Sequence, residues 1–134
     1  MSIVVIGSIN TDLTIQVPHF ATRNETVLGN GDFRTTQGGK GANQAVAAAA
    51  GGLPVHMIGK VGEDAFGDAA INDLISAGVA CDYVRREPDH STGIAAIFLD
   101  PEGNNSITVA PVQMHASCRR MCKLRNRSSP KQPL

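Results

Sequence analysis

The chain has 134 residues with 12 basic and 12 acidic side chains, so its formal net charge at neutral pH is zero. All of the acids but only half of the bases lie in residues 1–111, which leaves charges of about −6 there and about +6 in residues 112–134. Such a contrast is typical of a basic tail or of a junction between unrelated segments. Without a long apolar run or an even set of cysteines, we expect neither a membrane protein nor a disulfide scaffold.

The first half of the chain is predicted to contain strands followed by one helix. Ile3–Ile9 is a β-branched run typical of a strand buried on both faces, and Thr11–Val17 alternates like a half-exposed strand. Thr26–Leu28 and Asp32–Thr36 are candidates for a further strand pair. Ala42–Ala50 is rich in alanine and predicts a helix, with its C-terminal cap in the two glycines that follow.

The second half alternates strands and a helix before a hairpin. Val55–Ile58 and Val79–Val84 are predicted strands, and the apolar spacing of Asp64–Ala77 between them is helical. Thr92–Leu99 and Ser106–Ala110 flank the turn-rich sequence DPEGNN and predict a hairpin.

This order of elements predicts an α/β fold in a single domain. Strands that alternate with helices imply βαβ units and a parallel sheet. The early alternating strand and the late hairpin do not fit such a sheet, so they predict a small second sheet. One cysteine in the main body, Cys81, is what a chain in the reducing cytoplasm would carry.

A glycine-rich segment lies directly before the predicted helix Ala42–Ala50. Glycines at a strand-to-helix junction let a ligand approach the backbone, and the helix N-terminus offers free N–H groups. The spacing fits neither a P-loop nor a complete G-x-G-x-x-G motif. By itself the pattern is therefore equally consistent with a small polar ligand and with a tight turn that carries a solvated lysine. The candidate residues are Gly38, Gly39, Lys40, Gly41 and Asn43.

Asn10 and Asp12 follow the first predicted strand. Ligands of open α/β sheets bind beyond the carboxyl ends of the strands. Residues two apart on an extended chain point to the same side, so this pair is suited to vicinal hydroxyl groups of one sugar.

The segments GSINTD, ETVLG, GGKGANQAVAAA, MIGKVGEDAFG and STGIAAIFLDPEGNN together resemble the ribokinase/PfkB carbohydrate kinases. The resemblance covers residues 2–111, and GGKGANQAVAAA is similar to the first signature of the family. It implies a doubly wound parallel sheet, incomplete in this chain, and a small β-sheet lid that covers the sugar and often forms a dimer contact. GSINTD favours the ribokinase branch over fructokinases and nucleoside kinases.

The resemblance also implies roles for single residues. Asn10 and Asp12 would bind the sugar hydroxyls of ribose, and the glycine-rich segment with Lys40 and Asn43 would line the sugar site. The family's activity is ATP-dependent phosphorylation with Mg²⁺ and a monovalent cation, and its catalytic aspartate lies in a later Gly-Ala-Gly-Asp motif that has no counterpart here. We therefore assign no catalytic, cofactor or metal residue, and expect this chain to be inactive and to bind those cofactors poorly.

Residues 112–134 form a basic tail that we expect to be disordered. In the family the lid hairpin is followed by Pro-Gly-Ala-Asn-Ala, and the codons of Val112–His115 permit that sequence after restoration of one base. We therefore interpret the tail as an out-of-frame product. Zinc binding by His115, Cys118 and Cys122 lacks a fourth ligand, and the basic run Arg119–Arg127 lacks the aromatic residues of a nucleic-acid site.

Three alternatives stay open at this point. The whole protein belongs to another carbohydrate or nucleoside kinase of the same family, the chain is a non-catalytic module for sugar binding or lid dimerisation, or it is the unfolded product of a pseudogene. The last alternative is physically reasonable because a truncated parallel sheet exposes strand edges and apolar faces.

Overall fold

The computed structural model describes residues 1–112, and these residues form two sheets and two helices. The elements in chain order are β1 (Ile3–Ile6), β2 (Asn10–Gln16), β3 (Arg34–Gly38), α1 (Lys40–Ala50), β4 (Val55–Gly62), α2 (Ala65–Ser76), β5 (Val79–Glu87), β6 (Gly93–Leu99) and β7 (Asn105–Ala110). The basic run and the three candidate zinc ligands belong to residues 113–134, which lie outside the described residues. Val112, the first residue of the predicted tail, is buried.

The three strands β1, β4 and β5 form the predicted parallel sheet in the order β1-β4-β5. Ile3 pairs with Val55, and Val55 pairs in turn with Val79, so the three strands start level with one another. Helix α1 connects β3 to β4 and α2 connects β4 to β5. The expected strand–helix–strand unit of a parallel sheet is therefore confirmed.

The core of the molecule lies between one face of this sheet and the two helices. Val5, Met57 and Val61 of the strands form one cluster with Ala45 of α1 and Leu74 of α2. Met57 and Val61 are fully buried. These strand residues occupy odd positions, as expected when successive side chains alternate between the two faces of a strand.

The opposite face of the parallel sheet is uncovered by the described residues. Val4 and Ile6 are 55% and 62% exposed, and Tyr83 on β5 is 56% exposed. The prediction that the first strand is buried on both faces is therefore wrong for this part of the chain. Both helices pack against the same face, so the β-branched side chains of β1 are covered on one side only.

The second sheet has four strands in the order β3-β2-β6-β7. Strands β2 and β6 are parallel, and the two outer pairs are antiparallel. The predicted small sheet and the predicted hairpin β6–β7 are both confirmed. In the hairpin turn, the Asp100 carboxylate accepts a hydrogen bond of 2.8 Å from the Asn104 backbone N–H.

The predicted pairing of Thr26–Leu28 with Asp32–Thr36 is wrong. Residues 26–28 form no strand, and β3 pairs with β2 instead, with Gly38 opposite Asn10. Strand β3 is an outer strand that pairs with β2 alone, and the segment before it is held at the end of β2, where the Asn30 backbone N–H donates to the Gln16 carbonyl at 2.7 Å. Residues 26–28 lie in the loop between β2 and β3.

The helix ends follow the sequence closely. The Asp64 carboxylate caps α2 by accepting a hydrogen bond of 2.8 Å from the Gly67 N–H, as acidic residues commonly do at a helix start. Gly78 follows the other end of α2 with a φ of 86°. Helix α1 begins at Lys40, two residues before the predicted start. Within residues 1–112, neither helix has the length and apolar character needed to cross a membrane.

Candidate functional site

The N-terminus of α1 is docked against the loop that follows β1. The Ala42 backbone N–H donates to the Ser8 carbonyl at 3.1 Å, and the Lys40 N–H donates to the Ser8 hydroxyl at 3.1 Å. A side chain at Gly41 would place its Cβ 2.6 Å from the Cα of Gly7. The small residues of the glycine-rich segment therefore bring the positive end of the helix dipole directly to the loop between the two sheets.

Gly39 is the residue that turns the chain from β3 into α1. Its φ of 97° is strained for residues with a side chain. A Cβ at this position would also lie 2.6 Å from the Ser8 carbonyl oxygen and 2.9 Å from the Asn10 backbone nitrogen. Glycine is therefore required here both by conformation and by space.

Asn10 and Asp12 lie at the start of β2, in the second sheet, rather than at the end of the first strand. Both are half-buried, whereas Thr11 between them is 1% exposed. The alternation confirms that the amide and the carboxylate share one face of β2. Two glycines on the neighbouring strands leave room for them, because a Cβ at Gly93 would overlap the Asn10 side-chain oxygen and one at Gly38 would overlap the Asp12 carboxylate.

A cavity of about 460 Å³ opens where the α1 N-terminus, the start of β2 and the end of β7 meet. Its lining residues are Ser8, Ile9, Asn10, Gly39, Lys40, Asn43, Lys60, Val109, Pro111 and Val112. Four of the seven candidate residues therefore lie together at its wall. The other three, Asp12, Gly38 and Gly41, do not line it.

The three candidates outside the cavity wall have different surroundings. Gly38 and Gly41 provide close packing, the first beside Asp12 and the second against β1. Asp12 stands two residues along β2 from Asn10, and burial raises the pKa of its carboxyl group above the ordinary value. A carboxylate at this position accepts hydrogen bonds from hydroxyl groups when it is ionised.

Lys60 is a wall residue that the sequence pattern does not predict. It is 7% exposed near the end of β4, and its ammonium lies 2.6 Å from a Glu87 carboxylate oxygen on β5. The sequence feature that could have indicated Lys60 is its place as the one charged residue from Met57 to Gly62, where the other residues are apolar or glycine. Its position in the cavity depends on the pairing of β4 with β5, which the spacing of residues does not reveal.

Asp64 and Thr92 tie the two sheets together behind the site. The Asp64 carboxylate accepts hydrogen bonds from the Thr92 backbone N–H at 2.8 Å and from its hydroxyl at 2.6 Å. The same hydroxyl accepts a hydrogen bond of 2.9 Å from the Gly62 N–H. This cluster fixes the first residues of β6, and therefore the position of Gly93 beside Asn10. The sequence pattern predicts a helix start at Asp64 but not its contact with Thr92.

The metal expected for the family has no site among the described residues. Within residues 1–112, no group of three or more His, Cys, Asp and Glu side chains is placed to hold a metal ion. The donors that line the cavity are amide, ammonium, hydroxyl and backbone groups. They suit a neutral polyhydroxylated ligand better than a divalent cation.

The sequence is similar to those of curated sugar kinases. The chain is 48% identical to the ribokinase of Bacillus subtilis (strain 168) over 108 residues, which are 81% of this chain and 36% of that protein. It is 42% identical to the deoxyribokinase of Salmonella typhi over 81% of this chain and 35% of the relative. The chain thus spans about a third of the length of these curated relatives.

The fold is shared with solved structures. The Arabidopsis thaliana ribokinase complexed with ribose and ATP superposes with a TM-score of 0.74 at 36% identity, over 81% of this chain and 35% of that one. The sequence profile of the pfkB family carbohydrate kinases matches residues 1–121. The predicted fold class and resemblance are therefore confirmed, and the chain belongs to the pfkB family of carbohydrate kinases.

Proposed function

We propose that the described residues form the sugar-binding part of a ribokinase. The whole protein would transfer phosphate from ATP to D-ribose and form ribose 5-phosphate. The observation that carries this proposal is the convergence of Asn10, Lys40 and Asn43 at the N-terminus of α1, on the wall of one cavity. Amide and ammonium groups in a partly enclosed site are suited to the hydroxyl groups of a sugar. The similarity to a ribokinase complexed with ribose and ATP supports the choice of substrate.

The 134-residue chain itself is proposed to bind ribose without phosphorylating it. Phosphoryl transfer depends almost entirely on positioning and on electrostatic stabilisation of the transferred group. The aspartate that the family uses as a base belongs to the later Gly-Ala-Gly-Asp motif, and ATP, Mg²⁺ and the monovalent cation are used with it. On this proposal, all of these belong to the whole protein.

Isothermal titration calorimetry with D-ribose and with ATP tests the proposal. We expect weak binding of ribose and none of ATP, and Asn43→Ala should lower the ribose affinity. Asn72→Ala is the matched control, because Asn72 is an exposed asparagine on α2 that does not line the cavity. A wild-type chain that binds ATP but no sugar would contradict the proposed function.

A second substrate is supported by the relatives themselves. The deoxyribokinase of Salmonella typhi is nearly as similar to this chain as the ribokinase of Bacillus subtilis. Titration with D-ribose, 2-deoxy-D-ribose, D-fructose and adenosine ranks these candidates. A preference for ribose supports the ribokinase proposal, whereas a preference for one of the others reassigns the substrate within the family.

The second sheet also supports a dimerising module. Strands β3 and β7 are its outer strands, and Ile107 and Val109 of β7 are 51% and 50% exposed. Free strand edges with apolar side chains pair readily with a second chain. Sedimentation equilibrium with and without ribose tests whether a homodimer forms through this sheet.

Far-UV circular dichroism with a cooperative thermal transition would argue against the alternative of an unfolded product.

The boundary at Pro111 is proposed to mark a change of reading frame. Resequencing of the locus tests it, because one missing base near that codon predicts an out-of-frame continuation that reaches a Gly-Ala-Gly-Asp motif. A continuation without such a motif would contradict the frameshift but would leave the sugar site in place.

We further propose a cytoplasmic location, which the unpaired state of Cys81 among the described residues supports.

A further inference from the structure

A lysine is buried at the wall of the sugar cavity, on a strand whose neighbouring residues are apolar. Lys60 is only 7% exposed, and Met57 and Val61 on the same strand are fully buried hydrophobic residues. An ammonium group loses its hydration when it is buried, and the free-energy cost of this desolvation is large unless partners inside the protein replace the water. The position therefore needs an explanation beyond packing.

Glu87 provides part of that explanation. Its carboxylate lies 2.6 Å from the Lys60 ammonium, and the hydrogen bond from Lys60 lowers the pKa of the Glu87 carboxyl. Glu87 therefore stays ionised and holds the lysine in one orientation. An ammonium group carries three donors, and Glu87 is the acceptor that residues 1–112 place against it. Donors therefore remain for a further partner.

The cavity is where such a partner would lie. Lys60 lines the same wall as Asn10, Lys40 and Asn43. We propose that Lys60 is a further sugar-binding residue, whose ammonium donates a hydrogen bond to the 2-hydroxyl or the 3-hydroxyl of the bound sugar while Glu87 positions it. This inference rests on the proposed function, because it assigns a new contact within the same sugar site.

A hydroxyl-by-hydroxyl comparison separates a direct contact from a structural role. D-ribose, 2-deoxy-D-ribose and 3-deoxy-D-ribose are titrated by nuclear magnetic resonance into the full chain and into Lys60→Met. We expect Lys60→Met to weaken ribose binding by about tenfold to a hundredfold, as for the loss of a hydrogen bond to a charged group. The analogue that lacks the contacted hydroxyl should bind both proteins equally well.

Two further variants complete the test. Glu87→Gln retains an acceptor for Lys60 without the charge, so it should weaken ribose binding less than Lys60→Met, with the same selectivity among the analogues. Arg86→Met is the matched control, because Arg86 pairs with Asp68 through side chains that are 41% and 60% exposed and does not line the cavity. We expect it to leave the sugar affinity unchanged.

The outcomes distinguish this inference from the proposed function. A wild-type chain that binds no sugar overturns both of them. If the wild-type chain binds ribose and Lys60→Met either binds it equally well or weakens all three sugars by the same factor, only the contact from Lys60 is overturned. The amide spectrum of each variant shows in the same experiment whether its fold is retained.

Discussion

Asn10 and Gly93 face each other across the parallel pair of β2 and β6, and the side-chain oxygen of Asn10 occupies the space that a side chain at position 93 would need. The orientation of the amide is therefore set by the absence of a side chain on the neighbouring strand. Gly93 in turn follows Thr92, which is held by Asp64. Asp64, which does not line the cavity, thus helps to set the orientation of Asn10, which does.

The first prediction concerns this pair. Gly93→Ala should displace the Asn10 amide from its present orientation and lower the ribose affinity by roughly tenfold, the effect of one lost hydrogen bond. Calorimetric titration with ribose measures the change. Gly51→Ala is the control, because position 51 lies at the far end of α1 with a φ of −75°. Unchanged ribose binding by Gly93→Ala would show that the Asn10 amide does not contact the sugar.

The second prediction is a pH dependence of sugar binding. Burial raises the pKa of Asp12, so its carboxyl group becomes protonated at a higher pH than the usual value of about 3.9. We propose that Asp12, which shares a face of β2 with the cavity-wall residue Asn10, accepts hydrogen bonds from sugar hydroxyl groups, and its ionised form accepts them at both oxygens. We expect ribose affinity to fall as the pH is lowered through this raised pKa, while circular dichroism shows that the chain remains folded.

Asp12→Asn provides the check on this assignment. The asparagine does not titrate, so the ribose affinity of this variant should be lower at neutral pH and nearly independent of pH between about 4 and 7. A pH dependence of the same shape in wild type and Asp12→Asn would assign the titration to a different group.

The third prediction concerns the packing of α1 on β1. In Gly41→Ala the new methyl group would lie 2.6 Å from the Gly7 Cα and 2.9 Å from the Met57 side chain. The helix must move away from the strand, and overpacking of this kind costs about 1–3 kcal/mol. Urea denaturation followed by circular dichroism measures the free energy of unfolding. A midpoint equal to that of wild type would mean that the close approach of helix and strand is not a constraint.

The fourth prediction concerns the Asp64 carboxylate. Asp64→Ala removes the cap of α2, which should cost about 1 kcal/mol, and it also removes both hydrogen bonds from Thr92. Because those bonds hold the start of β6, the variant should lose ribose affinity as well as stability. Asp68→Ala is the control, since Asp68 lies in the first turn of the same helix and makes an exposed ion pair.

The fifth prediction concerns the contribution of Asp64 to the free energy of unfolding at acid pH. Burial acts to raise its pKa, but hydrogen bonds from Thr92 and Gly67 outweigh burial, and the pKa is lowered overall. Its stabilising contribution is therefore fully present above the unfolded value of about 3.9 and is lost as the pH falls through the lower folded value. Asp64→Asn should show a smaller loss of unfolding free energy over that acid range than wild type does.

Local patterns in the sequence were sufficient for most of the elements. The helix spacing of Asp64–Ala77, the alanine run of α1 and the turn DPEGNN each express a preference that operates within one element. Residues 26–28 were predicted wrongly because β3 pairs with β2, which is distant in the chain, and not with the residues just before it. Likewise, the β-branched residues of β1 do not reveal which face the helices cover.

The unequal charge of the two parts of the chain, the βαβ order, and the glycine-rich segment from Gly38 to Asn43 were all determined by the sequence itself. So was the resemblance that the comparisons confirm. Tertiary structure decided which polar groups share a wall: Lys60 and Asn10 are far apart in the chain, and Asp64 is bonded to Thr92 across 28 positions. The physical reason is that strand pairing and helix docking bring distant residues together, whereas a sequence pattern reports only the preferences of neighbours.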